Sequence, residues 1–169
     1  METIKLRPFR LEDAPRLTEL ANNIKIAENL RDGFPHPYTL TDAENFLKMC
    51  MDQNPTQAFA IEYNGEYVGN IGVHPEKDVY RKSAEIGYFL GEPFWGKGIM
   101  TRAVKQMVEY GFENLDIVRI HTGIFEYNIA SQRVLEKCGF KKEAVFEKAI
   151  FKKNQLWNEV RYALLKNHK

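Results

Sequence analysis

Trp95-Gly96-Lys97-Gly98-Ile99-Met100-Thr101 separates two stretches of different periodicity. Upstream, Ala84-Glu85-Ile86-Gly87-Tyr88-Phe89-Leu90 reads as a strand. Downstream, Ala103, Val104, Met107, Val108, Gly111, Phe112 and Leu115 recur at helical spacing and form one apolar stripe. Ile117 to Ile124 returns as strand, so residues 84 to 124 make a strand-helix-strand crossover, while the segments on both sides read as antiparallel hairpins. The sheet is therefore expected to be mixed and the class α+β.

Working outward, Ile4 and Leu6 alternate with Thr3, Lys5 and Arg7 in a short strand that Pro8 closes. Leu17, Leu20, Ala21 and Ile24 predict one helix within 12–26, with Glu12 and Asp13 at its dipole-favoured start. The stretch Gly33-Phe34-Pro35-His36-Pro37-Tyr38 must be a loop, and its aromatics need cover; it is a candidate border of an acceptor site. Thr41 and Glu44 have capping-box spacing and predict a second helix carrying Ala43, Phe46, Leu47 and Cys50. Asn64-Gly65 between 59–63 and 66–74 is a two-residue hairpin signal, because both residues tolerate positive φ. Ala130, Val134 and Cys138 predict a helix over 128–138 with Gly139 as a left-handed cap. Strands near 140–152 and 155–165 finish the pattern.

No repeat or Gly/Ser-rich linker divides the 169 residues, so 1–169 is expected to be a single domain. Lys and Arg nearly balance Asp and Glu at a formal charge of +1, which argues against nucleic acid as a partner. Cys50 and Cys138 are the only cysteines and read as reduced packing residues. The start of the chain lacks the apolar run of a signal peptide, and no long apolar stretch follows, so no membrane partner and a cytoplasmic location are expected. His36, His74, His121 and His168 are scattered without metal-ligand spacing, and no metal is expected.

A Gly-rich turn between strand and helix aims several backbone N–H groups at one point, where the helix dipole adds about half a positive charge. Phosphates bind at such points. Gly96 and Gly98 allow close approach, Lys97 adds a cation and Thr101 a hydroxyl. Gly91 to Lys97 also spells GxxxxGK, the register of a nucleotide-hydrolysing phosphate loop. The next position decides against it: that loop needs Ser or Thr to hold Mg²⁺, and here stands Gly98.

Trp95 to Thr101 resembles the pyrophosphate-binding signature of the GNAT N-acetyltransferase superfamily. Asn128-Ile129-Ala130-Ser131 with Val134-Leu135-Glu136-Lys137-Cys138-Gly139-Phe140 resembles that superfamily's later motif, the helix lining the other side of coenzyme A. Leu6-Arg7-Pro8 and Ala84 to Tyr88 extend the likeness over nearly the whole chain, towards the RimJ/RimL-like branch that holds the ribosomal-protein alanine and serine N-terminal acetyltransferases. The resemblance implies a mixed, mostly antiparallel central sheet with helices on both faces, splayed at the cofactor site. It implies acetyl-CoA as acetyl donor. The cofactor-binding positions it points to are Tyr88, Phe89, Leu90, Trp95, Gly96, Lys97, Gly98, Ile99, Met100, Thr101, Asn128 and Ser131. It also implies a monomer or a homodimer.

The activity so implied is acetyl transfer to a primary amine by direct attack in a ternary complex, with the acceptor left open among a protein N-terminus, a polyamine and a small-molecule amine. Such a reaction needs a base for the amine and a proton for the departing thiolate. Glu85 stands where several family members place the base, acting directly or through water; a structural salt bridge is the other reading. Ser131 is the candidate acid, or else a pantetheine ligand; Tyr127 is a weaker candidate. Leu135 occupies the place where many relatives carry a tyrosine acid, so that assignment does not transfer. A non-catalytic acyl-CoA sensor is the alternative from another class.

Overall fold

The computed structural model describes residues 2–167. Its elements are β1 (Ile4–Arg7), α1 (Ala14–Ala21), α2 (Ile24–Ala27), α3 (Leu40–Met51), β2 (Ala58–Tyr63), β3 (Glu66–Pro75) and β4 (Ser83–Leu90). Then follow α4 (Ile99–Asn114), β5 (Arg119–Phe125), α5 (Ile129–Lys137), β6 (Lys141–Lys152) and β7 (Gln155–Leu165). The strands form one seven-stranded sheet in the order β1-β2-β3-β4-β5-β7-β6. All neighbours run antiparallel except β4 and β5, as the crossover through α4 requires.

Tyr67 to Val73 in β3 are all buried, which demands cover on both faces of the sheet. α4 covers one face, with Tyr110 edge-on to Phe59 at 4.8 Å and Gly111 against Val73 and Ile120. α1 and α3 pack together, and α3 residues share a cavity with Ala58, Asn70 and Gly72 on the opposite face. Cross-strand pairing puts His74 beside Glu85, Gly72 beside Gly87, and Asn70 beside Phe89 on that second face. Ile86, Tyr88 and Leu90 alternate to the α4 side.

Two helix boundaries differ from the sequence reading. The helix expected within 12–26 is broken, because Asn22 leaves helical geometry at ψ 69° and Asn23 caps a new start with its side chain accepting from the Lys25 N–H. Asn competes for backbone hydrogen bonds in this way. The capping box of α3 is Thr39 with Asp42, not Thr41 with Glu44: the Asp42 carboxylate accepts from the Thr39 N–H and the Thr39 hydroxyl accepts from the Asp42 N–H. The hairpin at Asn64-Gly65 has the expected positive φ values of 50° and 84°. Lys153-Asn154, also with positive φ, turns β6 into β7.

At Gly69, opposite Leu90, a Cβ would stand 2.3 Å from the Phe89 carbonyl oxygen. That atom is backbone and cannot swing aside. Gly69→Ala is therefore expected to push the end of β4 outward and cost about 1–3 kcal/mol, the usual price of overpacking. Thermal unfolding checks it, and an unchanged midpoint would refute the close-approach argument.

Candidate active site

β4 and β5 pair only at Ser83 with Arg119, Ala84 with Ile120 and Glu85 with His121. Beyond that the strands part: β4 continues to Leu90 alongside β3, while β5 continues to Phe125 alongside β7. The gap is a cavity of about 550 Å³ bordered by Ile86 to Leu90 on one side and Thr122 to Ile124 on the other. Its end is built by the loop and the first turn of α4, through Trp95, Gly96, Gly98, Ile99, Met100 and Thr101. α5 closes the far wall with Asn128, Ala130, Ser131, Arg133, Val134 and Lys137.

The loop is held from three directions. The Gly91 N–H donates to the Val68 carbonyl at 2.8 Å, and the Trp95 indole N–H donates to the Leu90 carbonyl at 2.7 Å. Glu92 accepts from Asn23 and Lys25 at 2.7 and 2.8 Å, which ties the break before α2 to the loop. Gly96 and Gly98 adopt φ of 75° and 73°, and a Cβ on either would meet nothing within 4 Å. A positive φ explains glycine there, and the open space beside a helix N-terminus is a cradle for an anion. A diphosphate with a slender thiol-ended arm fits this combination of cradle and strand-lined cleft.

Lys97 is absent from the cavity wall; its ammonium lies about 6 Å from the Tyr63 and Phe94 ring centres. The cations that do line the cavity are Arg133 and Lys137, which the sequence reading missed. Their i, i+4 spacing on a helix was the available signal. Asn128 caps α5, its side-chain oxygen accepting from the Ser131 N–H at 3.3 Å. The Ser131 hydroxyl and the Tyr88 phenol share a hydrogen bond of 2.5 Å across the cavity. Burial pushes the Tyr88 phenol up, against the opposing effect of that bond, so it stays protonated at neutral pH. Tyr127 points elsewhere, donating to the Glu28 carbonyl and packing edge-on against Trp157.

A second cavity of about 540 Å³ lies on the other face, between the loop at Gly33 to Tyr38, α3, and the middle of β3 and β4. Phe34 packs on Tyr38 and edge-on to Phe89, so the aromatics of that loop cover the sheet. Leu30, Gly87, Tyr88 and Phe89 border both cavities. Glu85 borders neither; one-third exposed, it is paired with Arg31 at 3.1 Å. His74 does line the second cavity, another residue the sequence reading passed over.

A family model described as the acetyltransferase (GNAT) domain matches residues 3–141. The chain belongs to the GNAT acetyltransferase family. It is 43% identical to the probable N-acetyltransferase YjcK of Bacillus subtilis, over 94% of this chain and 91% of that one. It is 31% identical to the putative ribosomal N-acetyltransferase YdaF of the same organism, over 98% and 92% of the two chains, in keeping with the RimJ/RimL-like branch. Among solved structures, the microcin C7 self-immunity acetyltransferase MccE in complex with acetyl-CoA and AMP superimposes with a TM-score of 0.80 at 27% identity, over 96% of this chain and 92% of that one. This acetyltransferase is acetyl-CoA-dependent and acts on amines. Among the described residues no group of three or more His, Cys, Asp or Glu could hold a metal ion, and no helix is long and apolar enough to cross a membrane. His168 lies outside the described residues.

Proposed function

We propose that acetyl-CoA occupies the cleft between β4 and β5, that a primary amine enters the second cavity, and that the two meet at Gly87 to Phe89 in a ternary complex. The observation that carries this reading is the shared border of the two cavities on one strand. Gly96, Gly98, Ile99, Met100 and Thr101 hold the diphosphate at the start of α4, with Arg133 and Lys137 as cations. The free edge of β4 from Tyr88 to Leu90 and the Asn128 side chain hold the pantetheine arm. Bound there, acetyl-CoA supplies a thioester carbonyl for the amine to attack. Ser131, backed by the Tyr88 phenol, provides the proton that stabilises the sulfur leaving group.

The second cavity selects the acceptor by chemistry. Phe34, Phe46, Met49 and Tyr38 line it, and among the described residues Asp42 is its one carboxylate. A polyamine with several cations needs several anionic partners, whereas one cation attached to an apolar body needs one. The proposed acceptor is an amine flanked by an apolar or aromatic group, a small molecule or a peptide N-terminus. Thiol release across phenethylamine, a Met- or Phe-ended peptide and spermidine tests it. A higher kcat/KM for spermidine would overturn the acceptor class, and no turnover of any amine would sink the reading itself.

Ser131→Ala is expected to lower kcat by about 10²-fold at unchanged coenzyme A affinity, the scale of one lost proton donor. A raised Kd for coenzyme A with kcat unaltered would instead make Ser131 a binding residue.

A further inference from the structure

Resting on the acetyl-transfer reading, we infer that His74 is the catalytic base that removes the acceptor's proton, with Gln57 setting its tautomer and Gly72 giving the ring its place. His74 stands near the end of β3 on the face of the second cavity and lines that cavity. Its Nε2 lies 2.7 Å from where a Cβ on Gly72 would be, so the imidazole folds back along the strand over a residue without a side chain. Gly72 pairs with Gly87, one of the residues that border both cavities. The ring thus takes the space over Gly72, and Gly87 beside it, where a Cβ would meet nothing within 4 Å, leaves open floor towards the shared border.

The Nδ1 atom lies 3.3 Å from the Gln57 side-chain oxygen. With that oxygen accepting, Nδ1 carries the hydrogen and Nε2 presents its lone pair over Gly72. Beside His74 across the strands stands Glu85 on β4, paired with Arg31, and the cavity that His74 lines is also lined by Asp42 on α3 and by Tyr38, while the Tyr88 hydroxyl turns to Ser131. His74 is exposed near the end of β3, and its partial desolvation there lowers the imidazole from its ordinary value, with the charge of Glu85 opposing. The ring is therefore neutral at pH 7 and able to accept. An imidazole, ordinarily near pKa ~6.5, is also better matched to an amine than a carboxylate near ~4.3. Glu85, outside both cavities, stabilises the imidazolium once it forms.

The step balances simply. An ammonium entering the cavity gives one proton to Nε2, and the freed electron pair on nitrogen forms the C–N bond as the C–S bond breaks with its pair on sulfur. The second nitrogen proton ends on that sulfur by way of Ser131, whose hydroxyl is restored in the exchange. The imidazolium returns its proton to solvent at the open rim.

The experiment combines kinetics with histidine NMR. His74→Gln, which keeps a polar group of similar reach, is expected to lower kcat/KM on the order of 10²-fold, to remove the acidic limb of the pH profile, and to leave coenzyme A affinity unaltered. In the wild type, the resonance absent from His74→Gln should show the Nδ1–H tautomer, titrate below the ordinary imidazole range, and move on addition of phenethylamine. Gln57→Leu should blur that tautomer preference. A wild-type pH profile in His74→Gln, or a resonance that phenethylamine does not move, overturns the base assignment and leaves acetyl transfer standing. Absence of turnover in the wild type over the whole amine panel overturns both.

Discussion

Gly98→Glu is expected to weaken coenzyme A binding by at least about 10²-fold while the fold survives. The residue caps α4 at φ 73° and its missing Cβ leaves the cradle open. A glutamate there fills the cradle and sets a carboxylate against a diphosphate, and like charges brought together in a binding site cost several kcal/mol. A tenfold change corresponds to about 1.4 kcal/mol, which gives the stated loss. The left-handed backbone adds a fold penalty of only about 1–2 kcal/mol. Gly98→Ala separates the two effects, since it carries the strain without the charge. Calorimetric titration with coenzyme A measures the result, and wild-type affinity in Gly98→Glu would remove the loop from the binding site.

Arg7→Ala is expected to cost about 3–5 kcal/mol, the scale of breaking a buried ion pair on one side. The Arg7 guanidinium donates to both Asp13 carboxylate oxygens at 2.7 and 2.9 Å and to Glu62 at 2.7 Å, with Arg7 and Asp13 both buried. Truncation strands a buried carboxylate. Burial alone would raise the Asp13 carboxyl, but the Arg7 guanidinium and the Arg10 N–H outweigh it and hold it below the usual range. A carboxyl depressed by folding stabilises the protein above its unfolded value of about 3.9, and that stability is lost as pH falls through the folded value. The difference between wild type and Arg7→Ala should therefore be large at pH 7 and shrink below about pH 4. Chemical denaturation across that range checks it; a gap that does not depend on pH would exclude the ion pair as the cause. Arg7→Lys should recover only part of the loss, because an ammonium cannot form the two-pronged contact.

Much of the fold was legible because local rules and tertiary contacts agree. Alternation in β1, the Asn64-Gly65 turn, the stripe along α4 and the Gly139 cap each follow from a few neighbouring residues. The helix expected to run through 12–26 failed where Asn22 and Asn23 offered the backbone other partners, which an apolar repeat does not register. The candidate site divides the same way. Gly96, Gly98, Asn128 and Ser131 border the cleft as their motifs suggest, whereas Lys97 turns to aromatic rings and Arg133 and Lys137 take the wall.

The sequence by itself determined most of the elements, the mixed sheet and the glycine loop before α4, because turns, caps and periodicity act over a few residues. Tertiary structure alone decided the rest. It parted β4 from β5 after Glu85, opening the cleft. It set Leu30 and Gly87 to Phe89 on the border of both cavities. It laid His74 over Gly72, brought Asp13 to Arg7, and left Gly69 no room for a methyl group. Those outcomes depend on strand register and on which face each side chain takes, and a one-residue shift in pairing would reverse them all.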